Sequence, residues 1–215
     1  MLTHDLSCFN WETLNLPSTD LGTLEAAFSM DEIKQAIDTM PADKAPGPDG
    51  FSGGFFRACW DTIKADLYAA FTQLFNLDCR ALKKINTSLI VLIPKSEGAT
   101  ALKNFRPISL LHSIVKIFSK ILASRLAPKL EDLIAPCQSA FVKKRCIQEN
   151  YIYVQNTARF FHKTKGATIL LKLDLAKAFD TVSWTYLLDM LQARGFGRRW
   201  REWIAMILTP LPPKF

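Results

Sequence analysis

Apolar positions recur at helical spacing along most of this chain, and they fuse into short continuous runs at a few places. Residues 1–27 show no strong period and read as a weakly structured leader. The pattern sharpens at Ser29, where Ser29 and Glu32 form a capping box: the serine oxygen accepts from the Glu32 amide and the glutamate reaches back. Met30, Ile33, Ile37 and Met40 then share one face of a short helix. A second helix is predicted from Phe55, Cys59, Ile63, Leu67 and Phe71, which recur every four residues and carry it to about position 77. Between them, residues 41–50 (PADKAPGPDG) hold two Gly and three Pro and predict a fixed, turn-rich loop with exposed amides.

The next segment changes period. Residues 88–93 are a short, β-branched apolar run closed by Pro94, which favours a strand. A polar stretch leads to a second run at 105–111, so the two predict a hairpin. Ser113 is placed to cap a helix with Val115, Phe118, Leu122 and Leu126 on one side, kinked or ended by Pro128. A short extended segment is expected near 138–145, a helix over 147–161 and a strand over 168–175. Ser183 is a candidate N-cap for a helix ending at Gly195, where a left-handed cap suits glycine. A last helix spans about 198–208, and Trp184, Trp200 and Trp203 read as packing residues. These elements make a helix-rich α+β chain.

Composition narrows the function classes. At 215 residues and 49% hydrophobic the chain can bury a real core, and fifteen Phe with five Trp argue against disorder. A net charge of +7 fits a polyanionic partner without demanding one. The densest basic groups are 143–145 and 198–201. Five cysteines, widely spaced and without a CxxC pair, read as reduced thiols of an intracellular protein, nuclear or cytoplasmic. No signal peptide opens the sequence, and no apolar stretch is long enough to predict a membrane span.

The chemistry sits in residues 171–180, LKLDLAKAFD. An apolar strand delivers one carboxylate, Asp174, to its end, and Phe179 follows five residues later. Period-two alternation places Lys172 and Asp174 on one face and Leu171, Leu173 and Leu175 on the other. Taken alone, an Asp ending a strand is a turn or cap residue and Phe179 is core. Six stretches in order change that reading: FSMDEI at 28–33, MPADKAPGPDGF at 40–51, LIPK at 92–95, NFRPISL at 104–110, QSAFV at 138–142 and LKLDLAKAFD at 171–180. Together they resemble the reverse transcriptase of non-LTR, LINE-type retroelements, especially those of plants.

The resemblance implies a right-hand polymerase, with fingers over 28–165, the beginning of the palm over 166–208 and an aberrant tail at 209–215. It implies two-metal nucleotidyl transfer with Mg²⁺, an RNA template, a DNA primer and a deoxynucleoside triphosphate. Asp174 becomes the first catalytic carboxylate, the Leu175 carbonyl a further metal ligand, and the Lys177 and Ala178 amides triphosphate contacts. Phe179 takes the sugar-gate position that disfavours a 2′-hydroxyl. Lys95 and Arg106 become grips on the incoming triphosphate. The loop carrying Lys44 either touches the template or clamps two helices. Gln138, Phe141, Lys143, Lys144 and Arg145 form a basic, aromatic-containing patch suited to template backbone. Lys144 stands where the family has glycine; if that position takes positive φ, Lys144 strains the turn.

One further expectation concerns what is missing. No Asp-Asp pair occurs anywhere in the sequence, whereas the family needs one in a later hairpin. The chain therefore reads as a truncated front part of a polymerase, inactive alone and binding no Mg²⁺ tightly. The rival readings are a non-catalytic nucleic-acid-binding remnant and an inert relic. In either case the 169–175 run is expected to keep an open edge and an uncovered apolar face.

Overall fold

Capping and amphipathicity set the first helix, α1 (Met30–Asp38). The Ser29 hydroxyl accepts from the Glu32 amide at 3.1 Å, and Ile33, Ala36 and Ile37 turn into the core. The second half of the expected capping box is replaced, because the Glu32 carboxylate takes the Arg125 guanidinium instead. A computed structural model of the chain describes residues 19–76, 85–165, 167–174 and 181–208. After α1 come α2 (Gly53–Ala58), α3 (Trp60–Phe75), β1 (Ser88–Pro94), β2 (Phe105–Leu111), α4 (Ser113–Leu126), α5 (Leu130–Leu133), α6 (Ile147–Lys163), α7 (Trp184–Ala193) and α8 (Arg198–Leu208), with 3-10 turns at Gly22–Glu25, Leu102–Asn104 and Ala127–Lys129. The helix-rich α+β expectation is met, with one described sheet, an antiparallel pair of strands.

The core is built from aromatic rings on distant parts of the chain. Phe28 meets Phe71 at 5.5 Å and Phe118 at 5.7 Å edge-on, and Trp203 at 5.0 Å, so it joins α3, α4 and α8. Trp203 and Trp200 are buried, and the Trp203 indole donates to the Leu74 carbonyl at 3.1 Å. Trp184, by contrast, is exposed. Residues assigned at the sequence level to the fingers and to the early palm thus share one hydrophobic cluster.

Further expectations need correction. The leader is ordered where it is described: Leu21 and Leu24 are buried, and Glu25 accepts from the Trp200 amide at 2.8 Å, supplying the N-terminal partner of α8 from 175 residues away. The single long helix over 55–77 is two helices that break at Cys59. A strict four-residue repeat drifts by about 40° per step from a 3.6-residue turn, so one straight helix could not keep all five positions on the core. The extended segment near 138–145 is instead a series of turns. Lastly, residues 168–174 form no strand ladder: Ile169 is 93% exposed and Leu173 80%. A strand needs a neighbour for its amides and carbonyls, and none pairs with this run among the described residues. Ser113 is not the cap of α4 but its first residue, and its amide is taken by Asp49 instead. The remaining elements match closely. The hairpin registers Val91 with Ile108 and Ile93 with Arg106, Ser183 caps α7 through the Tyr186 amide, and Gly195 has φ +81. No described helix is long and apolar enough to cross a membrane.

Candidate nucleic-acid and nucleotide interface

The hairpin fixes the relation of Lys95 and Arg106. Arg106 stands directly opposite Ile93, and the Lys95 amide donates to the Asn104 carbonyl at 2.8 Å, which carries the ladder one step further. Directly opposed residues of an antiparallel pair share a face, and so do residues two apart on one strand. Lys95 and Arg106 therefore lie on the same face as diagonal neighbours. Both are exposed. The Lys95 ammonium currently donates to the Lys103 carbonyl at 2.7 Å, whereas the Arg106 fork has no partner among the described residues. Two cations on one face at the end of a hairpin suit a polyphosphate.

The proline-glycine loop is held from below. Gly47 is buried, and a Cβ there would be driven into the Leu111 carbonyl and the His112 amide, so only glycine lets the loop lie against the end of β2. Asp49 then caps α4: its Oδ2 accepts from the Ser113 amide at 2.5 Å, and the Ser113 hydroxyl donates to the Phe51 carbonyl at 2.7 Å. His112 stands beside it, with Nδ1 at 3.9 Å from Asp49 Oδ2 and Nε2 at 3.3 Å from the Thr87 hydroxyl. The loop is thus anchored to the end of β2 and to the start of α4. Lys44 projects from its exposed side.

The QSAFVKKR segment is closed by its own arginine. Arg145 donates to the carbonyls of Ala135 and Gln138, each at 2.7 Å, of Ile134 at 3.1 Å and of Glu131 at 3.3 Å. It gathers the orphan acceptors at the end of α5 and draws the loop around them. Val142 is buried beneath the loop. Phe141 has φ 65 and is 90% exposed, and Lys144 has φ 69. The Lys144 position thus has the positive φ that glycine tolerates, and a left-handed non-glycine residue costs roughly 1–2 kcal/mol. Lys143 and Lys144 face solvent, Lys144 with Glu131 at 3.8 Å, and Gln138 donates to the Ala140 carbonyl at 3.3 Å.

Asp174 is exposed and has no structural partner that would fix its direction among the described residues. Leu175, Lys177, Ala178 and Phe179 lie outside the described residues. An Mg²⁺ site wants about six oxygens in near-octahedral array. No group of three carboxylate, histidine or cysteine side chains is gathered among the described residues. Those residues do not fit a catalytic metal pair.

Sequence reasoning passed over Arg125, whose guanidinium binds both Glu32 oxygens at 2.6 and 2.7 Å and three further carbonyls, Leu24, Ala26 and Ala27. Nothing in the spacing of 113–126 distinguishes this arginine from a solvated one. It also passed over Lys116 and Lys120, which line the hollow beside Lys44. The basic group at 198–201 proves structural in part: Arg199 lies over the Phe75 ring at 4.1 Å, and Arg198 pairs with Glu202 at 2.8 Å.

Comparison with known proteins agrees with this picture. Residues 93–214 match the reverse transcriptase (RNA-dependent DNA polymerase) family. The chain is 36% identical over 179 residues to the transposon TX1 uncharacterized 149 kDa protein of Xenopus laevis, covering 81% of this chain and 13% of that protein. It is 28% identical to the retrovirus-related Pol polyprotein from type-1 retrotransposable element R1 of Bradysia coprophila, over 78% of this chain and 17% of the relative. It is 26% identical to the RNA-directed DNA polymerase from mobile element jockey of Drosophila melanogaster, over 73% and 17%. The chain thus spans under one fifth of the length of these relatives. It belongs to the reverse transcriptase family and carries part of the domain found in non-LTR retroelements.

Proposed function

We propose that this chain supplies the surface that grips nucleic acid and incoming nucleotide in an RNA-directed DNA polymerase, and that it does not perform the chemistry with the residues described. Lys95 and Arg106 take the triphosphate of a deoxynucleotide. Lys44, Lys143 and Lys144 take phosphates of an RNA template, and the exposed Phe141 ring offers a stacking face to a base. Gln138 and Arg145 shape the loop that presents them. Asp174 is the catalytic carboxylate of this reading, with the Leu175 carbonyl beside it, the Lys177 and Ala178 amides on the triphosphate and Phe179 against the sugar. The roles of Lys95 and of the residues after it draw support from the match of residues 93–214 to the family, and that of Lys44 from its exposed place on the loop. Mg²⁺ belongs to the complete catalytic site, which needs carboxylates beyond Asp174. A DNA primer and an intracellular location, nuclear or cytoplasmic, are part of the same reading.

The observation that carries the proposal is the placement of Lys95 and Arg106 on one hairpin face. The test is nucleotide photo-cross-linking. A photoreactive deoxynucleoside triphosphate should label the β1–β2 hairpin, and Lys95→Ala with Arg106→Ala should abolish that labelling. Labelling that survives both changes would overturn the nucleotide-gripping role. A primer-extension assay with Mg²⁺ should give no product, and Asp174-dependent synthesis by this chain would overturn the claim that the described residues lack the chemistry.

A further inference from the structure

Three hollows lie in a row along the seam between α1 and α4, each sharing lining residues with the next, and the row is called the α1–α4 channel below. The first, about 440 Å³, is lined by Lys44, Lys116 and Lys120 and reaches Thr39. The second, about 350 Å³, shares Thr39 and Lys120 with the first and reaches Gln35 and Ser124. The third, about 450 Å³, shares Gln35 and Ser124 with the second and ends at Lys143 and Lys144. The channel therefore joins the proline-glycine loop to the QSAFVKKR loop, two places that look unrelated in sequence.

Its charge is one-sided. Two acidic side chains line it: Glu32, which is paired with Arg125, and Glu131, which stands 3.8 Å from Lys144. Lys44, Lys120 and Lys143 have no carboxylate partner among the described residues, and Lys116 touches only the Ala45 carbonyl at 3.3 Å. Lys116 and Lys120 are one helical turn apart, about 6 Å along the α4 axis. From Lys116 to its last residue, Leu126, α4 runs about 15 Å. The uncharged linings, Thr39, Gln35 and Ser124, offer hydrogen bonds without sequence demands.

We propose that one single-stranded nucleic-acid backbone runs along the α1–α4 channel, with Lys116 and Lys120 on α4 binding phosphates between the Lys44 loop and the Lys143–Lys144 loop. This deepens the nucleic-acid reading above and rests on it. Neighbouring hollows share their lining residues, the two loops stand at the ends of the row, and lysines line it where a backbone would pass.

The experiment measures binding of a fluorescent single-stranded RNA ten-mer to the full chain by anisotropy, across a series of NaCl concentrations. Each phosphate-binding lysine adds about 0.7 to the slope of log K against log salt for a single strand. The Lys116→Gln/Lys120→Gln variant should lower the slope by about 1.4 and weaken binding roughly twentyfold at 0.1 M salt. Lys64→Gln, on α3 beside Asp61, should change neither. Far-UV circular dichroism and the urea midpoint check that the double variant is folded. If it is not, Lys120→Gln alone should lower the slope by about 0.7. An unchanged slope in a folded α4 variant, with a reduced slope in Lys143→Gln/Lys144→Gln, would overturn the channel path and leave nucleic-acid binding intact. Absence of salt-dependent binding by the unaltered chain would overturn both.

Discussion

Arg125 is the side chain on which the N-terminal part of this fold most depends. Its fork holds both oxygens of Glu32, its remaining donors hold the Leu24, Ala26 and Ala27 carbonyls, and its plane lies 4.6 Å over the Phe28 ring. Replacement by alanine strips the 21–28 segment of three carbonyl attachments to α4 and leaves Glu32 without its partner. Breaking a buried pair costs about 3–5 kcal/mol. The Glu32 side chain keeps 23% of its surface and can rehydrate, which pulls the electrostatic loss below that range, to about 2–3 kcal/mol. The lost ring contact adds about 1 kcal/mol. A total near 3 kcal/mol should lower the melting temperature by roughly 6–12 °C for a chain of this size. Urea unfolding is the assay, since it does not screen charge. Arg125→Lys should recover less than half of the loss, because an ammonium cannot span two carboxylate oxygens and three carbonyls together. A double-mutant cycle with Glu32→Gln should show coupling of about 1–3 kcal/mol. A midpoint for Arg125→Ala within about 0.5 kcal/mol of the unaltered chain, or full rescue by lysine, would refute the reasoning.

Other expectations follow from single contacts. Gly47→Ala should cost about 1–3 kcal/mol, since its methyl meets backbone rather than a mobile side chain; a neutral result in urea unfolding would contradict the close approach of the loop to β2. Glu25→Ala should cost about 1 kcal/mol by removing the acceptor for the Trp200 amide, with a matching rise in amide exchange at the start of α8. Lys144→Gly should stabilise the chain by about 0.5–1 kcal/mol through its φ of 69 while weakening RNA binding. Ile169→Ser with Leu173→Ser should change stability by less than about 0.5 kcal/mol and reduce light scattering on concentration, because both side chains are exposed.

What could be read from the sequence divides along physical lines. Locally determined features were legible: the hairpin from two β-branched runs, the Ser29 and Ser183 caps, and the left-handed Gly195. So was the unusual backbone at Lys144, through comparison with the glycine of the family pattern. Features made by distant partners were not. Nothing near Glu25 reveals that it caps a helix at Trp200, and nothing near Arg125 reveals five acceptors from residues 24–32. The 168–174 run has the composition of a strand, yet a strand is a relation between segments, and the described residues supply no neighbour. The candidate site shows the same division. Lys95 and Arg106 could be named from motifs, but Lys116 and Lys120 gain meaning only when α1 and α4 pack to form a channel.

On the proposal above, the two loops that carry Lys44 and Phe141, Lys143 and Lys144 grip nucleic acid. Ultraviolet cross-linking of single-stranded RNA to the full chain, followed by peptide mapping, tests it most directly. Cross-links should concentrate at Phe141 and in peptides bearing Lys44 and Lys116, and should fade as salt rises. Cross-links confined to α7 and α8, around Arg194 and Arg201, would contradict the claim.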